Sequence, residues 1–141
     1  DNQRCMDKER YDGFRAGFGR DAADFMLIPM QKVRRRQFYL ENLQRLRSVT
    51  AVFAVSDYYA IDLLHFLLAQ GISVPGDMAV AGFDDTPMCE MVSPTLTSVR
   101  QDLSLRAKIA LEKLQALKAR QETETTIMLP VRLIERSSTK L

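Results

Sequence analysis

Residues 50–102 read TAVFAVSDYYAIDLLHFLLAQGISVPGDMAVAGFDDTPMCEMVSPTLTSVRQD, and their order decides the fold. Residues 51–55 form an unbroken apolar run, the pattern of a strand covered on both faces. It stops at Ser56 and Asp57. Residues 58–70 are apolar nearly all round and read as a buried helix, with Gly71 where a C′ glycine belongs. The turn GISVPG at 71–76 leads into a second apolar strand over 78–83, which stops at Asp84 and Asp85. Short links on both sides of the helix fit a right-handed parallel crossover. Ligands of open parallel sheets bind outside the carboxyl ends of the strands, so Ser56, Asp57, Asp84 and Asp85 are the first residues to consider. Neighbouring strand residues point to opposite faces, so at most one of Asp84 and Asp85 easily serves a shared site. Asp57 also stands where a helix N-cap belongs, and both roles stay open for it.

Upstream, Tyr11, Phe14 and Phe18 recur at three- and four-residue spacing and predict a helix over 8–20, with Gly19 as its end. Residues 25–28, FMLI, have strand length and are closed by Pro29. Residues 32–47 read as a helix whose buried side carries Val33, Tyr39, Leu40, Leu43 and Leu46. Its basic cluster, Lys32 with Arg34, Arg35 and Arg36, is taken as a solvated face, because no stacking aromatics interleave it as in single-strand binders. Downstream, residues 86–95 read as a loop punctuated by Pro87 and Pro94. Leu103, Ala107, Ala110, Leu114 and Leu117 mark an amphipathic helix. Residues 119–126 are polar, and 127–134 read as a strand in which Pro130 points to an edge, a bulge or a chain crossing.

Composition bounds the function classes. The 141 residues are 46% apolar and 27% charged, ordinary for one globular unit or a piece of one. A formal net charge of +2 gives no case for a polyanion partner. No apolar run approaches the roughly 20 residues of a membrane span. No basic-then-apolar leader opens the chain, so a cytoplasmic location is expected. Cys5 and Cys89 form no metal or redox spacing, and a reducing compartment is a simpler reading than a disulfide. The polar opening, DNQRCMDKER, reads as the start of the later part of a longer protein.

The residues favour binding over catalysis. There is no Gly-x-Ser-x-Gly, no phosphate-cradling glycine loop and no Cys/His metal set, so no catalytic residue, metal or cofactor is expected. His65 has no nucleophile or ligand at usable spacing and is read as a packed residue within its helix. A carboxylate accepts several hydrogen bonds from one polyol, and an arginine fork donates several in return. Acids facing an arginine suit a hydroxyl-rich molecule such as a sugar.

The succession TAVFA at 50–54, SD at 56–57, Ala60, Gly71 and VPGDMAVAGFDD at 74–85 resembles the lactose-repressor/galactose-repressor (LacI/GalR) family of bacterial transcription regulators. The likeness continues through PTLTSVRQD at 94–102 and LPVRLIERSS at 129–138, and ERYDGF at 9–14 looks like that family's Arg-x-x-Gly-aromatic helix. The resemblance implies an α/β periplasmic-binding-protein-like type I fold, a three-layer α/β/α sandwich around a parallel sheet. The whole chain, 1–141, would be the C-terminal part of a sugar or other effector-binding domain. The helix at 103–121 would belong to the other, mostly absent subdomain, and the DNA-binding headpiece would be absent. By position, Arg10, Ser56, Asp84 and Gln101 match effector-contacting positions, beside Asp57. Met88, Met91 and Val92 match a loop that contributes to the dimer interface. Implied partners are a sugar-like effector, operator DNA through the headpiece, and a second copy of the chain. The alternative is a periplasmic-type sugar-binding protein of an ABC transporter, and an enzyme on the same fold is a third reading.

Overall fold

A single sheet carries strands β1 (Ala51–Phe53), β2 (Ala79–Asp84), β3 (Thr97–Gln101) and β4 (Val131–Ile134), side by side in that order, in a computed structural model that describes residues 2–18 and 24–140. The helices are α1 (Asn2–Phe18), α2 (Lys32–Glu41), α3 (Leu43–Arg47), α4 (Asp57–Ala69), α5 (Met88–Met91) and α6 (Leu103–Lys118). Strands β1, β2 and β3 are parallel, and β4 returns antiparallel along β3. Parallel neighbours need a crossover, supplied by α4 between β1 and β2 and by the turn containing α5 between β2 and β3.

Helix α4 forms the centre of the core. Ala60, Leu63, Leu64, Phe66 and Leu67 are buried against Val80 of β2, with Met78, Leu96, Tyr39 and Leu46 in the same cluster. Its end is a Schellman motif: Ile72 N–H donates to Leu67 O at 3.0 Å and Gly71 N–H to Leu68 O at 3.1 Å, with Gly71 at φ +72°. The C-terminal tail binds β2 to β3. Ser138 is fully buried, its hydroxyl donates to Val80 O at 2.6 Å, and the same oxygen accepts from Thr97 N–H at 2.8 Å.

Several readings change. Residues 25–28 make no strand, because no neighbouring strand supplies ladder bonds. Met26 and Ile28 pack on the core as extended chain instead. The helix predicted over 32–47 is divided at Asn42, whose side chain donates to Phe38 O at 2.9 Å. Val33 and Leu40 lie on its exposed side. Arg35 is fully buried rather than solvated. It donates to Asp62 at 2.7 Å, to Tyr58 Oη at 3.0 Å and to the Met30 and Pro29 carbonyls, so one guanidinium ties α2, α4 and the chain before α2. Lys32, Arg34 and Arg36 are exposed, as expected of a solvated face, and His65 is exposed rather than packed. Residues 97–101, assigned to no element by the sequence, are a strand. Their polar Thr97 and Ser98 are buried because their hydroxyls find partners within the fold. The last strand begins only after Pro130, at the sheet edge. Gly19, read as the end of the first helix, lies outside the described residues, as does the side chain of Cys5.

Helix α4 can lie on β2 because Gly82 has no side chain. A Cβ there would stand 2.5 Å from Asp57 Oδ1, 3.1 Å from Asp57 Cα and 3.2 Å from Ala60 Cβ. Two of these are atoms that cannot swing away. Gly82→Ala is expected to destabilise the fold by about 1–3 kcal/mol, read as a lowered denaturant midpoint with an unchanged slope.

Candidate functional site

The carboxyl ends of β1, β2 and β3 lie on one edge of the sheet, and α1 brings Arg10 to it. Arg10 Nη1 donates to Val55 O at 2.6 Å, just beyond β1. Its guanidinium lies over the Phe83 ring, 4.1 Å from the centroid, a cation–π contact that holds the group flat. Nη2 lies 3.8 Å from Asp84 Oδ1. From the end of β3, Gln101 Nε2 donates to the same Asp84 oxygen at 2.7 Å. Gln101 Oε1 in turn accepts from Arg106 Nη1 at 3.4 Å, one turn into α6. Donors and acceptors from α1, β2, β3 and α6 thus converge on one half-exposed carboxylate.

Asp84, the last residue of β2, and Asp85, just beyond it, have opposite surroundings. Both have left-handed backbone, φ 110° and 53°. Asp85 is closed in by Arg100 at 2.5 Å and Arg136 at 2.7 Å. Although burial pushes its pKa up, the hydrogen bonds from Arg136 and Arg100 prevail and hold it below the ordinary carboxylate range. Asp84 goes the other way. Desolvation raises its pKa, and the opposing pull of Arg10 and Gln101 does not cancel that rise.

Asp57 is neither the N-cap nor an open ligand group. Ser56 occupies the cap position in extended conformation without a side-chain cap bond. Asp57 begins the helix, is almost fully buried, and accepts from Thr86 N–H at 2.7 Å and from the Ser98 hydroxyl at 2.5 Å. Both carboxylate oxygens are engaged in tying α4 to the β2–α5 turn and to β3. Cys89 lies in the same region, fully buried, with its thiol pushed up to about 12 by burial and by Asp57. Ser56 remains at the rim, half-buried. Of the expected dimer residues, Met88 and Met91 are exposed on α5, whereas Val92 is packed into the core and only 9% exposed. The sequence did not single out Phe83 or Arg106. Their signals are an aromatic at a strand's last turn before the acids and a cation in the first turn of the helix after β3.

This architecture is a periplasmic binding protein-like domain, and the chain belongs to that family, whose profile matches residues 1–139. Its relatives are LacI-family transcription regulators, as the motif succession implied. The transcriptional regulator CelR of Thermobifida fusca is 42% identical over 94 residues, 67% of this chain and 26% of that protein. A solved CelR–cellobiose complex superposes with a TM-score of 0.76 at 28% identity, covering 92% of this chain and 42% of that one. A LacI family regulator from Enterococcus faecalis with bound ribose gives 0.74 at 31% identity, over 94% and 49%. The chain therefore spans about a quarter to a half of the length of these relatives. Among the described residues no helix is long and apolar enough to cross a membrane.

The raised Asp84 pKa has a consequence for stability. The native state holds this proton more tightly than the unfolded chain, so the group's contribution is most favourable at low pH and worsens as pH rises through the native pKa. Asp84→Asn is expected to raise the melting temperature of the ligand-free protein at pH 7. The advantage should vanish near and below the unshifted value of 3.8, in paired thermal melts across that range.

Proposed function

We propose that this chain is the effector-sensing part of a LacI-type bacterial transcription regulator, and that its effector is a sugar or sugar derivative. The observation that carries this reading is the convergence of Arg10, Asp84 and Gln101 at the carboxyl ends of the parallel strands. Arg10 supplies donors, Asp84 supplies acceptors, and Gln101 supplies one of each, a set matched to vicinal hydroxyls. Ser56 adds a hydroxyl at the rim. Asp57 acts from behind, holding the strand ends in place without touching the ligand. Binding rather than catalysis is the role of this set. The paired acids of glycosidases flank a substrate at a defined separation, whereas Asp85 here is enclosed by two arginines.

A second subdomain completes the cleft in this reading, and α6 belongs to it. No α6 residue is buried, and Leu103, Leu111, Leu114 and Leu117 are 59–62% exposed. Covering each such side chain contributes about 1.5–3 kcal/mol when it is complete. Effector binding would then set the closure of two subdomains and, through a dimer contacted by Met88 and Met91, the spacing of headpieces on operator DNA in the cytoplasm. Two sites coupled through one closure equilibrium make the protein allosteric. In the complete protein, Arg10→Ala and Asp84→Asn should abolish the effect of effector on operator binding while the DNA affinity itself persists, as read by fluorescence anisotropy. A normal effector response in both variants would remove the site assignment.

A further inference from the structure

The surplus positive charge of the chain is gathered on two short helices. Residues 32–47, which hold α2 and α3, carry six of its 20 basic residues and one of its 18 acidic ones, so acids outnumber bases in the remainder. Two of the six cations are neutralised, Arg35 by Asp62 at 2.7 Å and Arg45 by Asp24 at 2.5 Å. Lys32, Arg34, Arg36 and Arg47 are exposed and form no ion pair among the described residues. The one acid, Glu41, accepts from Gln37 Nε2 at 2.9 Å. The buried side of α2 is set by Arg35 and Tyr39. Helical spacing therefore puts Val33, Gln37 and Leu40, at i, i+4 and i+7, along the opposite side, with Lys32 and Arg36 on one flank and Arg34 on the other. Val33 is 86% exposed and Leu40 44%. A single exposed apolar side chain is ordinary. An apolar i/i+7 pair on one stripe, with unpaired cations on both flanks, is the pattern of a helix that seats in a partner's groove.

Charge decides the occupant. A second copy docking through the same face would press these cations against their own kind. A nucleic acid would engage the cations but has little to cover Val33 and Leu40. It would also find no ring to stack on, because Tyr39 is buried and Phe38 packs on the core. An acidic protein meets both demands.

We propose that α2 docks into an apolar groove on a second protein whose rims carry carboxylates. Val33 and Leu40 fill the groove, and Lys32, Arg34 and Arg36 pair with the rims. None of these residues belongs to the strand-end cluster, so the effector reading is not needed here. The test uses the complete protein in its own cells, with a photo-crosslinking amino acid in place of Gln37. The crosslinked species is identified, purified and titrated against the unmodified protein. An acidic protein should be captured, and its affinity should fall with added salt. Arg34→Glu with Arg36→Glu should weaken it about 10- to 100-fold, while Arg34→Lys with Arg36→Lys should keep it within about threefold. Val33→Ser with Leu40→Ser should weaken it about tenfold at unchanged charge. These side chains face solvent, so melting temperatures of the variants should match the parent. Capture of a second copy, of nucleic acid or of nothing overturns the proposal. So does a captured protein that binds the charge-reversed and serine variants as tightly as the parent.

Discussion

Asp57 joins three pieces of chain that are far apart in sequence: the start of α4, the turn after β2 and the middle of β3. A buried carboxylate is tolerated only when its oxygens are hydrogen-bonded, and here Thr86 N–H and the Ser98 hydroxyl meet that demand. The geometry leaves little slack. Gly82 gives the carboxylate room that even a methyl group would take, and Ala60 lets the helix backbone approach the strand. The register of β2 against β3, pairing Gly82 with Ser98 and Asp84 with Arg100, is thereby fixed where the candidate site begins. Arg10 reaches that site from another element by donating to the carbonyl of Val55.

Adjacent acids illustrate how the same side chain takes opposite roles. Asp85 is closed in by two arginines and fastens the C-terminal tail to the turn after β2, Arg136 also bonding Leu96 O and Glu90. Asp84 faces the half-open edge, partly desolvated, with its nearest cation at 3.8 Å. Both residues occupy backbone conformations uncommon for anything but glycine. Local strain and an under-compensated charge are what a pre-organised binding site carries, at some expense in stability.

Much of the fold was legible because periodicity and punctuation agreed. The strand–helix–strand unit around α4, its C′ glycine and the amphipathic α6 all follow from apolar spacing and turn residues. The elements that were not legible depend on tertiary partners. Strand β3 carries Thr97 and Ser98, polar residues that sit inside only because Ser138, Thr139 and Asp57 bond them. Residues 25–28 have strand composition without a partner to pair with. Arg35 is one of four cations within five residues, and nothing local separates it from Arg34 and Arg36. Its burial is decided by Asp62 and Tyr58, more than twenty residues on. For the site, position at strand ends marked Ser56, Asp57 and Asp84, but which carboxylate faces solvent and which is enclosed is settled by groups that periodicity does not report.

The central claim is that the strand-end cluster holds the effector while Asp57 holds the cluster. A crystal structure of the complete protein with its effector bound tests it most directly. The account predicts ligand hydroxyls within hydrogen-bond distance of Arg10, Asp84 and Gln101, with Asp57 still bonded to Thr86 N–H and the Ser98 hydroxyl and out of contact with the ligand. A ligand that touches Asp57, or one seated away from the carboxyl ends of these strands, would contradict it.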